Sequence, residues 1–101
     1  MFISVVIPTY NRKPILEKCL KALEKQQLND DIISNYEIVL VDDGSTDGTL
    51  EWLQENKKKF PHVCAFSQDN LGPAAARNLG VTKAKGDIII FIDSDIVVTE
   101  T

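Results

Sequence analysis

Asp87-Ile88-Ile89-Ile90-Phe91-Ile92-Asp93-Ser94-Asp95 is an apolar, β-branched run that stops on two carboxylates two positions apart. A run this short, bounded by polar residues and rich in isoleucine, reads as a buried strand. Residues i and i+2 of an extended chain point to the same side, so Asp93 and Asp95 can converge on one hard cation such as Mg²⁺ or Mn²⁺. Asp and Ser are also ordinary turn residues, and the pair alone does not decide between a metal site and a solvated strand end. The rest of the chain has to decide it.

Upstream, Gly72-Pro73 opens a stretch of small residues, Ala74, Ala75 and Ala76, followed by Leu79, Val81 and Ala84 and closed by Gly86. That pattern predicts a helix able to approach a sheet closely. Val63 to Phe66 reads as a strand. Before it, Leu50, Trp52 and Leu53 mark a helix that ends among Lys57, Lys58 and Lys59 and is closed by Pro61; the lysines suit the negative helix end and read as solvated. Ile38-Val39-Leu40-Val41 is a further strand, ending at Asp42-Asp43-Gly44-Ser45-Thr46-Asp47-Gly48. Glycine permits the turn there, and Ser45, Thr46 and Asp47 are candidate caps for the next helix. Leu28 to Asn35 is a polar connection. From Pro14, Ile15, Leu16, Cys19, Leu20 and Leu23 fall at helical spacing, with Glu17, Lys18, Lys21 and Glu24 on the wet side. Phe2 to Ile7 is the first strand, stopped by Pro8.

Strand and helix alternate throughout, which predicts an α/β, Rossmann-like domain with a mostly parallel central sheet, right-handed crossovers and helices on both faces. Ligands of such sheets bind at the carboxyl ends of the strands. The polar groups gather at those ends: Thr9-Tyr10-Asn11, Asp42-Asp43 and Asp93-Ser94-Asp95. Turn chemistry alone would not put paired acids after two apolar strands.

Length and composition agree with one small domain: 101 residues, 44% hydrophobic and 26% charged. A net charge of -4 lacks the basic stripe that a phosphate-backbone binder requires, which argues against nucleic acid as a partner. Cys19 and Cys64 fall inside predicted elements without metal-ligand spacing and read as buried thiols of a reducing compartment. His62 stands alone and reads as structural. No apolar run approaches the ~20 residues of a membrane span, and Met1-Phe2-Ile3 enters an apolar segment without a basic leader.

Pro8-Thr9-Tyr10-Asn11, Val41-Asp42-Asp43-Gly44-Ser45, Asn70-Leu71-Gly72-Pro73-Ala74-Ala75-Ala76-Arg77-Asn78 and Asp93-Ser94-Asp95 occur in an order that resembles family 2 glycosyltransferases. Each motif is weak alone, while the ordered set is specific and covers essentially the whole chain. The resemblance implies a GT-A-type fold with central strand order three, two, one, four, whose first half binds a nucleotide-diphospho-sugar. Carried over by position, it implies that Pro8, Thr9 and Tyr10 line the nucleotide. Asp43 would meet the base or ribose, Asp42 would support that turn, and Gly44 and Ser94 would complete the lining. Arg77 would face the nucleotide or its phosphates, its alternative being a structural ion pair with a site acid. Asp93 would face the ribose or the metal, and Asp95 would be the principal ligand of a Mn²⁺ or Mg²⁺ ion.

The same resemblance implies transfer of a sugar to an acceptor hydroxyl with inversion, a UDP-sugar as the commonest donor, and a cytoplasmic location, at the inner face of the membrane in a longer protein. It also implies a catalytic base in the later half of the domain, so that residues 1–101 are expected to be a donor-binding part, cut after the Asp-x-Asp motif and poorly active alone. The connection from Gln26 to Tyr36 is longer than such enzymes use, and apolar surface left open at the last strand would favour self-association.

Two other classes compete. Asp43-Gly44-Ser45-Thr46-Asp47-Gly48 resembles an EF-hand calcium loop, but Gln54 stands where the bidentate Glu belongs and a β-branched strand precedes it instead of a helix. A phospho-receiver domain would place its acidic pair after the first strand, not at Asp42-Asp43. A dinucleotide-binding half lacks its Gly-x-Gly-x-x-Gly after the first strand.

Overall fold

The computed structural model describes residues 2–26 and 35–92. Its elements alternate as expected: β1 (Phe2–Thr9), α1 (Lys13–Gln26), β2 (Asn35–Asp42), α2 (Thr49–Glu55), a 3-10 turn (Lys57–Lys59), β3 (Val63–Ser67), α3 (Pro73–Lys83) and β4 (Ile88–Phe91). All three strand pairings are parallel, and the sheet order is β3-β2-β1-β4. Asp93, Ser94 and Asp95 lie outside the described residues, as does nearly all of the connection from Leu28 to Asn35.

The two-residue period of the strands sorts the core into two layers. Ile3, Val5 and Ile7 of β1 and Ile38 and Leu40 of β2 pack with Leu16, Cys19 and Leu20 of α1, with Leu53 of α2 and with Phe60. Val6, Val39 and Val41 face the other way and meet Ala76 of α3. The small residues of α3 do what their size permits: a methyl group added at Gly80 would collide with Val6 Cγ1, so the helix lies against the strand at a separation only glycine allows.

Several boundaries differ from the sequence reading. β1 runs through Pro8, which pairs with Val41. Among the described residues the β4 ladder spans Ile3 to Val6 of β1, and Pro8, which has no N–H to donate, lies near the end of its strand. α2 stops at Glu55, and the three lysines form a separate exposed turn. α3 ends at Lys83, before Gly86. Gly86 instead sits under β1, where a Cβ would lie 2.6 Å from the Ser4 amide nitrogen. Cys64 is exposed, not buried. It lies on edge strand β3 and faces the α3 side, where that helix packs over β1 and β2 and leaves the edge uncovered. Cys19 is buried as expected, and burial pushes its thiol pKa up. The run at Ile88–Phe91 is also an edge strand, with Ile88, Ile90 and Phe91 between 41% and 50% exposed.

The amino ends of the strands are tied by a buried polar network. Ser4 Oγ donates to Glu37 Oε2 at 2.6 Å, Lys85 N–H donates to the same oxygen at 2.8 Å, and Gly86 N–H donates to Ser4 Oγ at 2.8 Å. His62 stacks on Tyr36 at 4.2 Å nearby, far from the carboxyl edge. That leaves the carboxyl edge for the loops that follow β1, β2 and β3.

Candidate functional site

β1 and β2 end side by side, with Thr9 paired to Asp42. The loops leaving them diverge into α1 and α2, and their backbones are tied at once: Asp43 N–H donates to Thr9 C=O at 2.9 Å. Asp42 is buried and accepts Ser45 N–H on Oδ2 at 3.1 Å, which closes the turn below Gly44. Thr9 Oγ1 and Asp42 Oδ1 are buried and have no hydrogen-bond partner among the described residues.

Asp43 organises the third loop. Its Oδ1 accepts from Gln68 Nε2 at 2.8 Å and from Leu71 N–H at 2.7 Å, and its Oδ2 accepts from Gly72 N–H at 3.0 Å. Burial pushes the carboxyl pKa up, but these three donors outweigh it and hold Asp43 below its ordinary value. Gly44 is required beside it: φ is +81°, and a Cβ would lie 3.0 Å from the Asn70 amide nitrogen. The loop from Gln68 to Gly72 delivers the chain into α3, whose second turn carries half-buried Arg77.

The β1–α1 loop is tied to the β2–α2 loop side chain by side chain. Asn11 adopts φ +50°, a conformation that asparagine tolerates better than most residues. Its N–H donates to Ser45 Oγ at 2.8 Å, and its Oδ1 accepts Thr46 N–H at 2.7 Å. Asp47 Oδ2 accepts Lys13 N–H at 3.1 Å at the start of α1, and Oδ1 accepts Thr49 N–H at 3.2 Å at the start of α2. The Thr49 hydroxyl also donates to Oδ1. Burial opposes ionisation of Asp47, and these donors overcome it, leaving the pKa lowered. Tyr10 sits between the fixed residues Thr9 and Asn11 with its side chain 42% exposed, and Leu71 across the gap is 68% exposed.

Among the expected site residues, Thr9, Tyr10, Asp42, Asp43 and Gly44 therefore gather on one edge with the loop that leads to Arg77. Pro8 lies within the ladder just below them. Both carboxylates of the calcium-like loop, Asp43 and Asp47, are turned to N–H donors, an arrangement of turns and caps instead of a cation cage. Among the described residues no group of three or more His, Cys, Asp or Glu could hold a metal ion. Sequence reading missed Asn11 and Gln68 as site organisers, and saw Asp47 as a cap of α2 without its second bond to α1. An asparagine two residues after a strand carried a weak signal for a left-handed turn; Gln68 carried none, since its partner is 25 residues away.

A model of glycosyl transferase family 2 matches residues 4–101. The chain belongs to glycosyl transferase family 2. Poly(ribitol-phosphate) beta-glucosyltransferase of Bacillus spizizenii is 41% identical over 97 residues, which are 94% of this chain and 15% of that protein. Staphylococcus aureus TarS 1-349 in complex with UDP aligns at TM-score 0.82 and 31% identity, over 99% of this chain and 29% of that one. The mannosyltransferase PcManGT of Pyrobaculum calidifontis, in complex with GDP-Man and Mn²⁺, aligns at TM-score 0.79 and 30% identity, over 92% of this chain and 27% of that one. The family 2 chain thus spans well under half the length of the relatives it matches. Its parallel sheet in order 3-2-1-4 is the GT-A-type arrangement that the sequence motifs implied. No helix among the described residues is long and apolar enough to cross a membrane.

Proposed function

We propose that residues 1–101 form the donor-binding part of a glycosyltransferase that transfers a sugar from a nucleotide-diphospho-sugar to an acceptor hydroxyl with inversion, a UDP-sugar being the first candidate. The observation that carries this reading is the Asp43 carboxylate. It is fixed by three donors at the edge where the loops meet, and a carboxylate offers about four acceptor positions, so one remains for a base or ribose donor. Tyr10, exposed on a backbone pinned from both sides, offers an aromatic side chain at the same edge. UDP in the TarS complex and GDP-Man in the PcManGT complex are the kind of ligand this edge suits.

In this reading Arg77 meets the diphosphate with its planar guanidinium. Asp93 and Asp95 hold a divalent cation, Mn²⁺ in the first instance, with Ser94 beside the ribose. A bound cation would offset the negative charge that develops on the leaving diphosphate. Asp42 keeps the turn closed and Gly44 lets the loop of Gln68 to Gly72 approach, so both serve binding through geometry. The base that deprotonates the acceptor hydroxyl, and the acceptor groove, are assigned to parts of the protein outside these residues.

The test is a calorimetric titration of UDP, GDP, CDP and TDP into the folded chain, each with and without Mn²⁺. One base bound in preference, and only with the metal, is the expected result. A folded chain that takes up none of the four, with or without Mn²⁺, would remove the donor-binding reading.

A further inference from the structure

We propose that Asp47 is a positioning residue: its carboxylate locks the β1–α1 loop to the β2–α2 loop, and through that spacing it sets nucleotide affinity without touching the nucleotide. The affinity part rests on the donor-binding reading above; the mechanical part does not. One oxygen accepts the first N–H of α1 and the other accepts the first N–H of α2, so a single side chain caps two helices that leave adjacent parallel strands. Those N–H groups have no partner within their own helices, and a fixed carboxylate satisfies one on each. Asn11 braces the same gap from the opposite loop, through Ser45 Oγ and Thr46 N–H.

The consequence falls on Tyr10. Its preceding residue is held by Asp43 N–H and its following residue by Ser45 Oγ, so the backbone position from which its exposed side chain projects follows the separation of the two loops. Asp43, at the start of the second loop, shares that reference. An aromatic face and a carboxylate that must meet one ligand together are useful only if their spacing is fixed before the ligand arrives, because ordering them on binding would subtract from affinity. Asp47 lies on the helix side of this arrangement, turned to Lys13 and Thr49, and acts on the ligand only through these neighbours.

The experiment compares wild type with Asp47→Ala and Asp47→Asn by backbone hydrogen exchange and by titration of UDP with Mn²⁺. The asparagine keeps one acceptor oxygen and so one cap, but loses the bridge. Glu37→Gln, at the opposite end of the sheet, serves as a variant that perturbs a buried network without involving the loops. The expected result is faster exchange at Asn11, Lys13, Thr46 and Thr49 together in Asp47→Ala, faster exchange on one of the two loops in Asp47→Asn, a loss of UDP affinity of about tenfold or more in both, and no such loss in Glu37→Gln. Exchange that rises only at Thr49 and its neighbours in Asp47→Ala would overturn the lock. Unchanged UDP affinity in a folded Asp47 variant, or an equal loss in Glu37→Gln, would overturn the positioning role. Wild type that binds no UDP would remove the donor reading and the affinity claim with it, while the exchange pattern would still decide the lock.

Discussion

The Asp43 carboxylate accepts the Leu71 amide at 2.7 Å across 28 residues of chain, so the turn after β2 and the loop before α3 are one structural unit. Asp43 and Asp47 are both held below the ordinary 3.8 by hydrogen bonds that outweigh burial. A carboxyl whose folded pKa is depressed contributes stability that is present above the unfolded value and lost as pH falls through the folded one. Thermal midpoints should therefore lose the contribution of these two groups as pH falls below about 3.8, and Asp43→Asn should flatten part of that loss. Unfolding curves between pH 2 and 7 check it; an Asp43→Asn profile parallel to wild type would count against the assignment.

Gly80→Ala tests the packing of α3. Alanine is the better helix former by about 1 kcal/mol, yet the added methyl would collide with Val6 Cγ1 on β1. Overpacking a rigid core costs about 1–3 kcal/mol, and the expected net effect is destabilisation despite the propensity gain. Chemical denaturation measures the sign directly.

The sequence made the fold legible because the strands alternate residue by residue between the two helical layers, and because the small residues of α3 announce close packing. Pro8 and Gly86 were misread for one shared reason: each was judged as a local stop signal, while its place is set by a neighbour distant in sequence. Pro8 takes its place from the pairing with Val41 of β2, and Gly86 is needed because Ser4 passes close by it. Cys64 and the isoleucines of β4 read as buried from composition, and only the sheet order puts them on edges. At the site, motif residues could be named from the chain, but the partners of Asp43 and the double bond of Asp47 are contacts between loops that no local pattern encodes.

Glu37→Ala addresses the opposite end of the sheet. The change leaves the Ser4 hydroxyl and the Lys85 N–H, both bonded to Glu37 Oε2, without their acceptor in a buried setting. Hydrogen bonds to a charged group are worth about 1.5–3 kcal/mol, so a loss of about 2–3 kcal/mol is expected, with nucleotide binding preserved in the protein that remains folded. Denaturant midpoints and a UDP titration on the same sample separate the two effects.

Asp95→Asn should abolish Mn²⁺-dependent nucleotide binding while leaving the unfolding midpoint near that of wild type. Asp95 follows the apolar run Ile88 to Ile92 by three positions in sequence, and the exchange of carboxylate for amide keeps the side-chain volume, so it takes a candidate ligand without a change of size. An amide keeps the size and one acceptor but loses the charge that a hard divalent cation selects. Asp43→Asn provides the contrast: it should weaken UDP at every Mn²⁺ concentration, because it loosens the loop from Gln68 to Gly72 and, in the proposed reading, removes a partner of the base. Titrations of UDP at several Mn²⁺ concentrations distinguish them. Asp95→Asn should remove the response of binding to Mn²⁺, and a variant that retains full Mn²⁺ dependence would move the cation away from Asp95.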